Sequence, residues 1–295
     1  LWGGIVVGVV LLVAYQGLIS MKLVKEGEGI SQKQSNVVHL ENLAYGKPPK
    51  VLLVGSSQSN QLPVALDNRY TLNAAQTGGC SQTTLDVLKR TGIIPRVVVI
   101  ELGHSVVRGS NVSAIDQLLS PGSKTLEKHL SELQQRYNVV NVAFSAAKRK
   151  VYGAKRPERP VSAAVHEAAI QRLYESSNKP FTSKEDARLV SEYQVLKDDV
   201  NWLQSRGCIV VLHILPMDPK DASASQYKRA DDLAEATFPR SNYCWFTPPS
   251  DTPWHTNDGE HLTATDASRY AEELRAFCDK LMASPELAKY SGAQP

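Results

Sequence analysis

What this 295-residue chain lacks narrows its reading first. No block of six or more like charges occurs, and the net charge of +3 is too mild to mark a nucleic-acid binder. No His/Cys/Asp cluster has metal-ligand spacing, so neither a metal nor a cofactor is expected. The G-x-S-x-G elbow of α/β-hydrolases is absent, and so is the G-x-x-x-x-G-K-[ST] phosphate loop. There is no internal repeat and no low-complexity tract, which excludes a solenoid. Cysteine is sparse: Cys80, Cys208, Cys244 and Cys278 are even in number and allow three pairings in an oxidising compartment. Free buried thiols account for them equally well.

Charge is missing from Leu1 to Met21, which is rich in Ile, Val, Leu and Gly. About 20 such residues span a bilayer as a helix, and Lys22 follows where a lysine can snorkel to the interface. A cleaved signal peptide has a shorter apolar region and ends on small residues. The exit here reads Gly17-Leu18-Ile19-Ser20-Met21-Lys22, without an A-x-A-like site. Residues 1–24 are therefore read as a retained transmembrane anchor. Because the first residue is Leu1 rather than Met, a short preceding piece is expected. Lys22 and Lys25 favour an inside C-terminal flank, against which Glu26 and Glu28 follow directly.

Residues 25–49 are polar and then Pro-containing, and read as a linker with one short strand at Val37–Leu40. Strands and helices then alternate. The strand candidates are Val51–Val54, Tyr70–Leu72, Arg96–Ile100, Cys208–Leu215 and Tyr243–Phe246. Helical patterns cover Thr83–Arg90, Lys184–Ser205 and Leu262–Ala283, the last opened by Thr263 and Asp266 in the spacing of a capping box. Such alternation predicts an α/β fold with a mostly parallel sheet between helices. The stretch from about 106 to 182 breaks the rhythm and reads as an insertion, with helix-like segments at Ser123–Arg136 and Val161–Ser176. Between them a basic loop runs from Lys148 to Arg159. It reads as a solvated face, the alternative being contact with anionic lipid headgroups or an anionic polymer. Residues 284–295 read as a frayed tail.

Two segments carry chemistry. Val51–Val54 runs into Gly55-Ser56-Ser57, a serine-rich turn, and Asp258 and His261 stand near the C-terminus in Asn257-Asp258-Gly259-Glu260-His261-Leu262-Thr263. Serine is a poor nucleophile near neutral pH unless a histidine takes its proton and an acid holds the imidazole. Both segments fall on loops at the carboxyl ends of strands, which gather in one crevice of an α/β sheet. The plainer alternative makes Asp258 a helix cap and His261 a surface residue. His213, inside an apolar strand, reads as a core histidine, and His255 beside Trp254 is a candidate for the crevice rim.

These blocks resemble the SGNH/GDSL hydrolase superfamily, whose nucleophile lies in a Gly-Asp-Ser block and whose acid and base lie in a late Asp-x-x-His block. Gly55-Ser56-Ser57 matches the first with Ser56 in place of the aspartate, and Asp258 to His261 matches the second. The resemblance implies a flavodoxin-like three-layer sandwich over residues 50–283, joined to one N-terminal transmembrane helix. It implies Ser57 as nucleophile, His261 as general base and Asp258 as its orienting partner. Oxyanion donors would be the backbone N–H groups of Ser57 and of Gly78 or Gly79. The family's third block reads Gly-x-Asn-Asp, whereas this chain has Gly103-His104-Ser105, so His104 or Ser105 would substitute or the third donor is missing.

The resemblance further implies an exported, periplasmic domain that moves acetyl or other acyl groups on a cell-envelope glycan. A multispanning membrane acyltransferase is the implied partner, and no nucleic acid is expected. The alternatives are a carbohydrate or lipid esterase with the same triad, and a non-catalytic subunit of a membrane complex.

Overall fold

Short continuous runs of Val, Leu and Ile build the framework, as strands covered on both faces require. The computed structural model describes residues 2–63, 71–152, 162–249 and 253–284. In chain order the elements begin α1 (Trp2–Ser20), α2 (Gln32–Tyr45), β1 (Val51–Val54), α3 (Ser57–Asn60), β2 (Thr71–Asn73), α4 (Ser81–Thr91) and β3 (Val97–Glu101). There follow α5 (Val112–Leu119), α6 (Pro121–His129), α7 (Val139–Tyr152), α8 (Ala163–Ser177), α9 (Ser183–Gln204) and β4 (Ile209–His213). Then come α10 (Pro219–Ala222), α11 (Ser225–Thr237), β5 (Cys244–Trp245) and α12 (Ala264–Ala283). The described parts of 1–47 and 112–158 form one compact unit, and those of 48–111 and 159–295 another.

The larger unit holds a five-stranded, all-parallel sheet in the order β2-β1-β3-β4-β5. Val51 lies opposite Val97, and Val97 opposite Ile209. The chain leaves β1 for edge strand β2 and returns to β3 on the other side of β1, so the order reverses between β1 and β3, the kind of switch point at whose carboxyl end ligands bind in such sheets. Alternate residues Leu53, Val99 and Val211 share a core with Tyr270, Leu274 and Cys278 of α12. The intervening Leu52, Ile100 and Leu212 are equally buried, with α4 packed on β1 and α9 on β4. The result is a three-layer α/β unit. Each leucine buried in it contributes about 2 kcal/mol of hydrophobic stabilisation.

His213 is buried in this core with its Nδ1 2.8 Å from the Tyr270 hydroxyl, and burial pulls its pKa down to about 3. The four cysteines are free, buried thiols, so the unpaired alternative is the one the structure takes. At the head of α12 only half of the expected capping box forms. Thr263 Oγ1 accepts the Asp266 N–H at 3.2 Å, but the Asp266 carboxylate accepts the His255 N–H at 2.7 Å instead of turning back to the cap.

The smaller unit corrects the sequence reading twice. The segment expected as a linker with a strand at Val37–Leu40 is helical, as α2. Ser31 Oγ accepts the Gln34 N–H and Gln34 Oε1 accepts the Ser31 N–H, a capping box that starts the helix before the paired valines. The expected insertion also does not act as one piece. Residues 112–152 join α1 and α2, whereas α8 belongs to the larger unit, where it packs against α10 and α11. In the expected basic loop, Lys148, Arg149 and Lys150 stand on α7, and Lys148 Nζ pairs with Glu28 at 2.8 Å. The rest of that loop, and the tail beyond Ser284, lie outside the described residues.

Inside the smaller unit a polar network joins α2 to the 3₁₀ turn Gln135–Tyr137. Glu41 accepts the backbone N–H groups of Gln135 and Arg136 at 2.6 and 2.9 Å, and Arg136 donates to Gln134, Asn42 and Glu26. Helix α1 is long and apolar enough to cross a membrane, and its side chains are exposed along most of its length.

Candidate active site

Ser57 and His261 come together although 204 residues separate them. His261 Nε2 lies 2.9 Å from Ser57 Oγ, and His261 Nδ1 lies 2.8 Å from Asp258 Oδ2. The acid–base pair is a local construction. Thr256 bridges Leu262, Asn257 N–H donates to the His261 carbonyl at 2.7 Å, and Asn257 Nδ2 donates to the Leu262 carbonyl. The turn so formed passes through Gly259 at φ +97°, where an L side chain is strained. Asp258 Oδ1 accepts the N–H groups of His261 and Glu260 at 2.8 and 3.1 Å, which holds Oδ2 against His261 Nδ1.

Electrostatics favour an ionised Asp258 beside His261. Burial opposes ionisation of Asp258, but hydrogen bonds from the His261 ring and backbone outweigh it and hold the carboxyl below its ordinary range. Burial likewise opposes the imidazolium, yet Asp258, Glu260 and Glu101 raise the His261 pKa above its ordinary value. An ionised Asp258 can only accept, so Nδ1 of the neutral ring carries the proton and Nε2 is left to accept from the Ser57 hydroxyl.

Ser57 opens α3, capped by Ser56 Oγ, which accepts the Gln58 N–H at 3.3 Å. As the first residue of a helix it keeps an unspent backbone donor, and its N–H has no acceptor among the described residues. Gln58 Nε2 donates to the Glu260 carbonyl at 3.1 Å, tying the serine turn to the histidine loop.

Beneath this turn lies a residue that the sequence reading did not single out. Glu101, buried at the end of β3, accepts the N–H groups of Ser56 and Ser59 on Oε2, each at 3.0 Å, and the Ser105 hydroxyl on Oε1 at 3.2 Å. A Cβ at Gly55 would lie 2.4 Å from Glu101 Oε2, so only glycine lets the carboxylate come this close. The available signal was a charged residue closing an otherwise apolar strand.

The remaining expected donors divide. Gly79 N–H donates to the Gln76 carbonyl at 2.9 Å, closing a turn with Gly78 at φ +70°, so Gly79 has no donor to spare. Gly78 is exposed and its N–H has no acceptor among the described residues. Ser105 does not stand in for the missing asparagine, because its hydroxyl is spent on Glu101. His104 packs among aromatic rings, stacked 5.8 Å from Phe181 and tilted 5.0 Å from Tyr227, and burial lowers its pKa. His255 is exposed, with its Nδ1 3.0 Å from Asp266 and no bond to the triad.

Two further residues adjoin the site. Arg108 donates to the Gly79 carbonyl at 3.2 Å, placing a cation beside the glycine turn. Asp221 of α10 is buried against Gly259, with no hydrogen-bond partner for either oxygen, and burial pushes its pKa up to about 6. Among the described residues no His/Cys/Asp/Glu group is arranged to hold a metal. No known family model matches this chain, and no curated protein matches it.

Proposed function

We propose that the chain is a membrane-anchored serine acyltransferase of the SGNH type, acting on a glycan or related polymer of the cell envelope. The observation that carries the reading is the continuous Asp258–His261–Ser57 hydrogen-bond chain, with its acid below and its base above their ordinary pKa values. In this mechanism His261 Nε2 takes the Ser57 proton while Oγ attacks an acyl carbonyl. Backbone N–H groups of Ser57 and Gly78 stabilise the oxyanion. The tetrahedral intermediate collapses to an acyl-serine, and His261 returns its proton to the leaving group. A glycan hydroxyl, deprotonated by the same ring, then attacks the acyl-serine and releases Ser57. Helix α1 anchors the protein, and the larger unit works on the extracytoplasmic side, as the resemblance implies. A multispanning acyltransferase would supply the acyl group there.

One observation favours a second reading, a non-catalytic subunit that keeps the fold for assembly. Ser105 and Gly79 are both spent on internal bonds, so the oxyanion would have two backbone donors in place of the three that the family pattern implies. The test supplies the full chain with an activated acetyl ester, with and without a glycan acceptor. Acetyl on the glycan, lost in Ser57→Ala, supports transfer. Acetate alone, equally lost in Ser57→Ala, makes the protein an esterase. No turnover by the wild type favours the non-catalytic reading.

A further inference from the structure

Helix α7 is turned inside out. Its inward residues are polar: Asn141 and Ser145 are buried, Asn141 against the Gly27 backbone and Ser145 Oγ accepting the Glu28 N–H at 2.9 Å. Apart from Lys150, its exposed residues are apolar. Val140, Phe144, Ala147 and Val151 recur at helical spacing along one exposed stripe, the three large ones 64%, 46% and 71% exposed. A second exposed stripe, Leu126, Leu130 and Leu133, runs along α6 and the 3₁₀ turn Ser131–Leu133 that follows it. A helix immersed in water carries the opposite polarity.

The position of α1 indicates what covers these stripes. The Ser131–Leu133 turn packs against α1, and the Tyr15 hydroxyl of α1 donates to the Tyr137 carbonyl at 2.7 Å. Tyr15 precedes the last residue of α1 by five positions, about 8 Å along the axis. The start of α7 therefore lies level with the last turns of α1, where a spanning helix would leave the hydrocarbon. Interfacial helices bury their apolar face about 5–10 Å into that boundary. Lys148, held by Glu28, flanks the stripe, as a cation at a headgroup surface does.

We infer that the smaller unit is a membrane-surface platform, with the outer face of α7 and Leu126, Leu130 and Leu133 embedded in the lipid headgroup region beside α1. This rests on the reading of α1 as a membrane helix. The test uses the full chain in lipid vesicles carrying a single introduced cysteine and an environment-sensitive fluorophore, at Val140→Cys, Phe144→Cys or Val151→Cys. The native cysteines are all buried, so labelling is confined to the new site. A Val9→Cys label reports on α1 separately.

The proposal expects the α7 labels to lose most of their emission to nitroxide lipids bearing the spin near the headgroup, and to resist aqueous iodide. The Val9→Cys label should be quenched by nitroxides deep in the acyl chains. Deep quenching of Val9→Cys with α7 labels open to iodide would leave the anchor standing and overturn the platform. Labels on α7 shielded from both quenchers would mean a protein partner or second copy covers the face, and would overturn it equally. A Val9→Cys label untouched by any lipid nitroxide would remove the anchor and the platform together.

Discussion

In the larger unit Leu53, Val99, Val211 and Leu274 close an apolar core, and the buried acids Glu101 and Asp221 adjoin the triad loops. In the smaller unit Val38, Leu40, Leu43 and Ile115 share the interior with Glu41, Gln134, Arg136 and Asn141, while Val140, Phe144 and Leu133 face outward. The first arrangement is that of a protein folded against water. The second suits an environment in which apolar side chains need no burial and polar ones need partners. If the smaller unit lies at a membrane as inferred above, one chain distributes its polarity for two solvents, with the boundary near residues 48, 112 and 158.

The sharpest way to break this division is through activity. Replacing Ser57 with alanine should lower acyl-ester turnover by about 10⁴-fold, or ~5.5 kcal/mol, with hydrogen-exchange protection of the smaller unit unchanged. Loss of protection there would mean that the units are not separable. Next comes packing. Leu274→Ala should cost the larger unit about 3 kcal/mol by opening a cavity, whereas Phe144→Ala should change stability in detergent by less than about 0.5 kcal/mol. A Phe144→Ala variant as damaged as Leu274→Ala would show that α7 packs on protein.

A smaller effect is expected at Glu101. Glu101→Gln keeps the shape but weakens three charge-assisted hydrogen bonds, and should lower kcat by roughly 30-fold, about 2 kcal/mol, with KM little changed. Equal loss in KM would point to substrate contact instead of support for the serine turn. The mildest test is pH. His261 must be neutral to accept a proton and its pKa is raised, so activity should fall on acidification with a midpoint above about 6.5. In the smaller unit burial pushes Glu41 up to about 7. A raised carboxyl pKa favours the folded state fully below the unfolded carboxylate range, and that contribution is lost as pH rises through about 7. Protection of the smaller unit should therefore decline over that window, and Glu41→Gln should flatten the decline.

Much of the larger unit was legible in sequence because its signals are local. Val51–Val54 is a strand over its expected span, and α9 and α12 begin and end within two residues of expectation. The juxtaposition of Ser57, His261 and Asp258 was legible because Asp258 and His261 lie on one turn and Ser57 directly follows a strand. What escaped depends on partners distant in sequence. Glu101 acquires its role only when Ser56, Ser59 and Ser105 converge on it, and Asp221 only when it meets Gly259. Gly79 could not be separated from Gly78 before the turn to Gln76 was seen. Helix α2 escaped because Val37-Val38 reads as strand, while its polar partners come from beyond residue 130. Periodicity could mark α7 as amphipathic but not which face points inward.

The central claim is that Ser57 is an activated nucleophile. Treating the full chain with a fluorophosphonate and mapping the adduct by mass spectrometry tests it directly. The triad predicts a single adduct on Ser57, absent from Ser57→Ala and strongly slowed in His261→Ala. An adduct that persists in Ser57→Ala, or a wild type that takes no label, would contradict it.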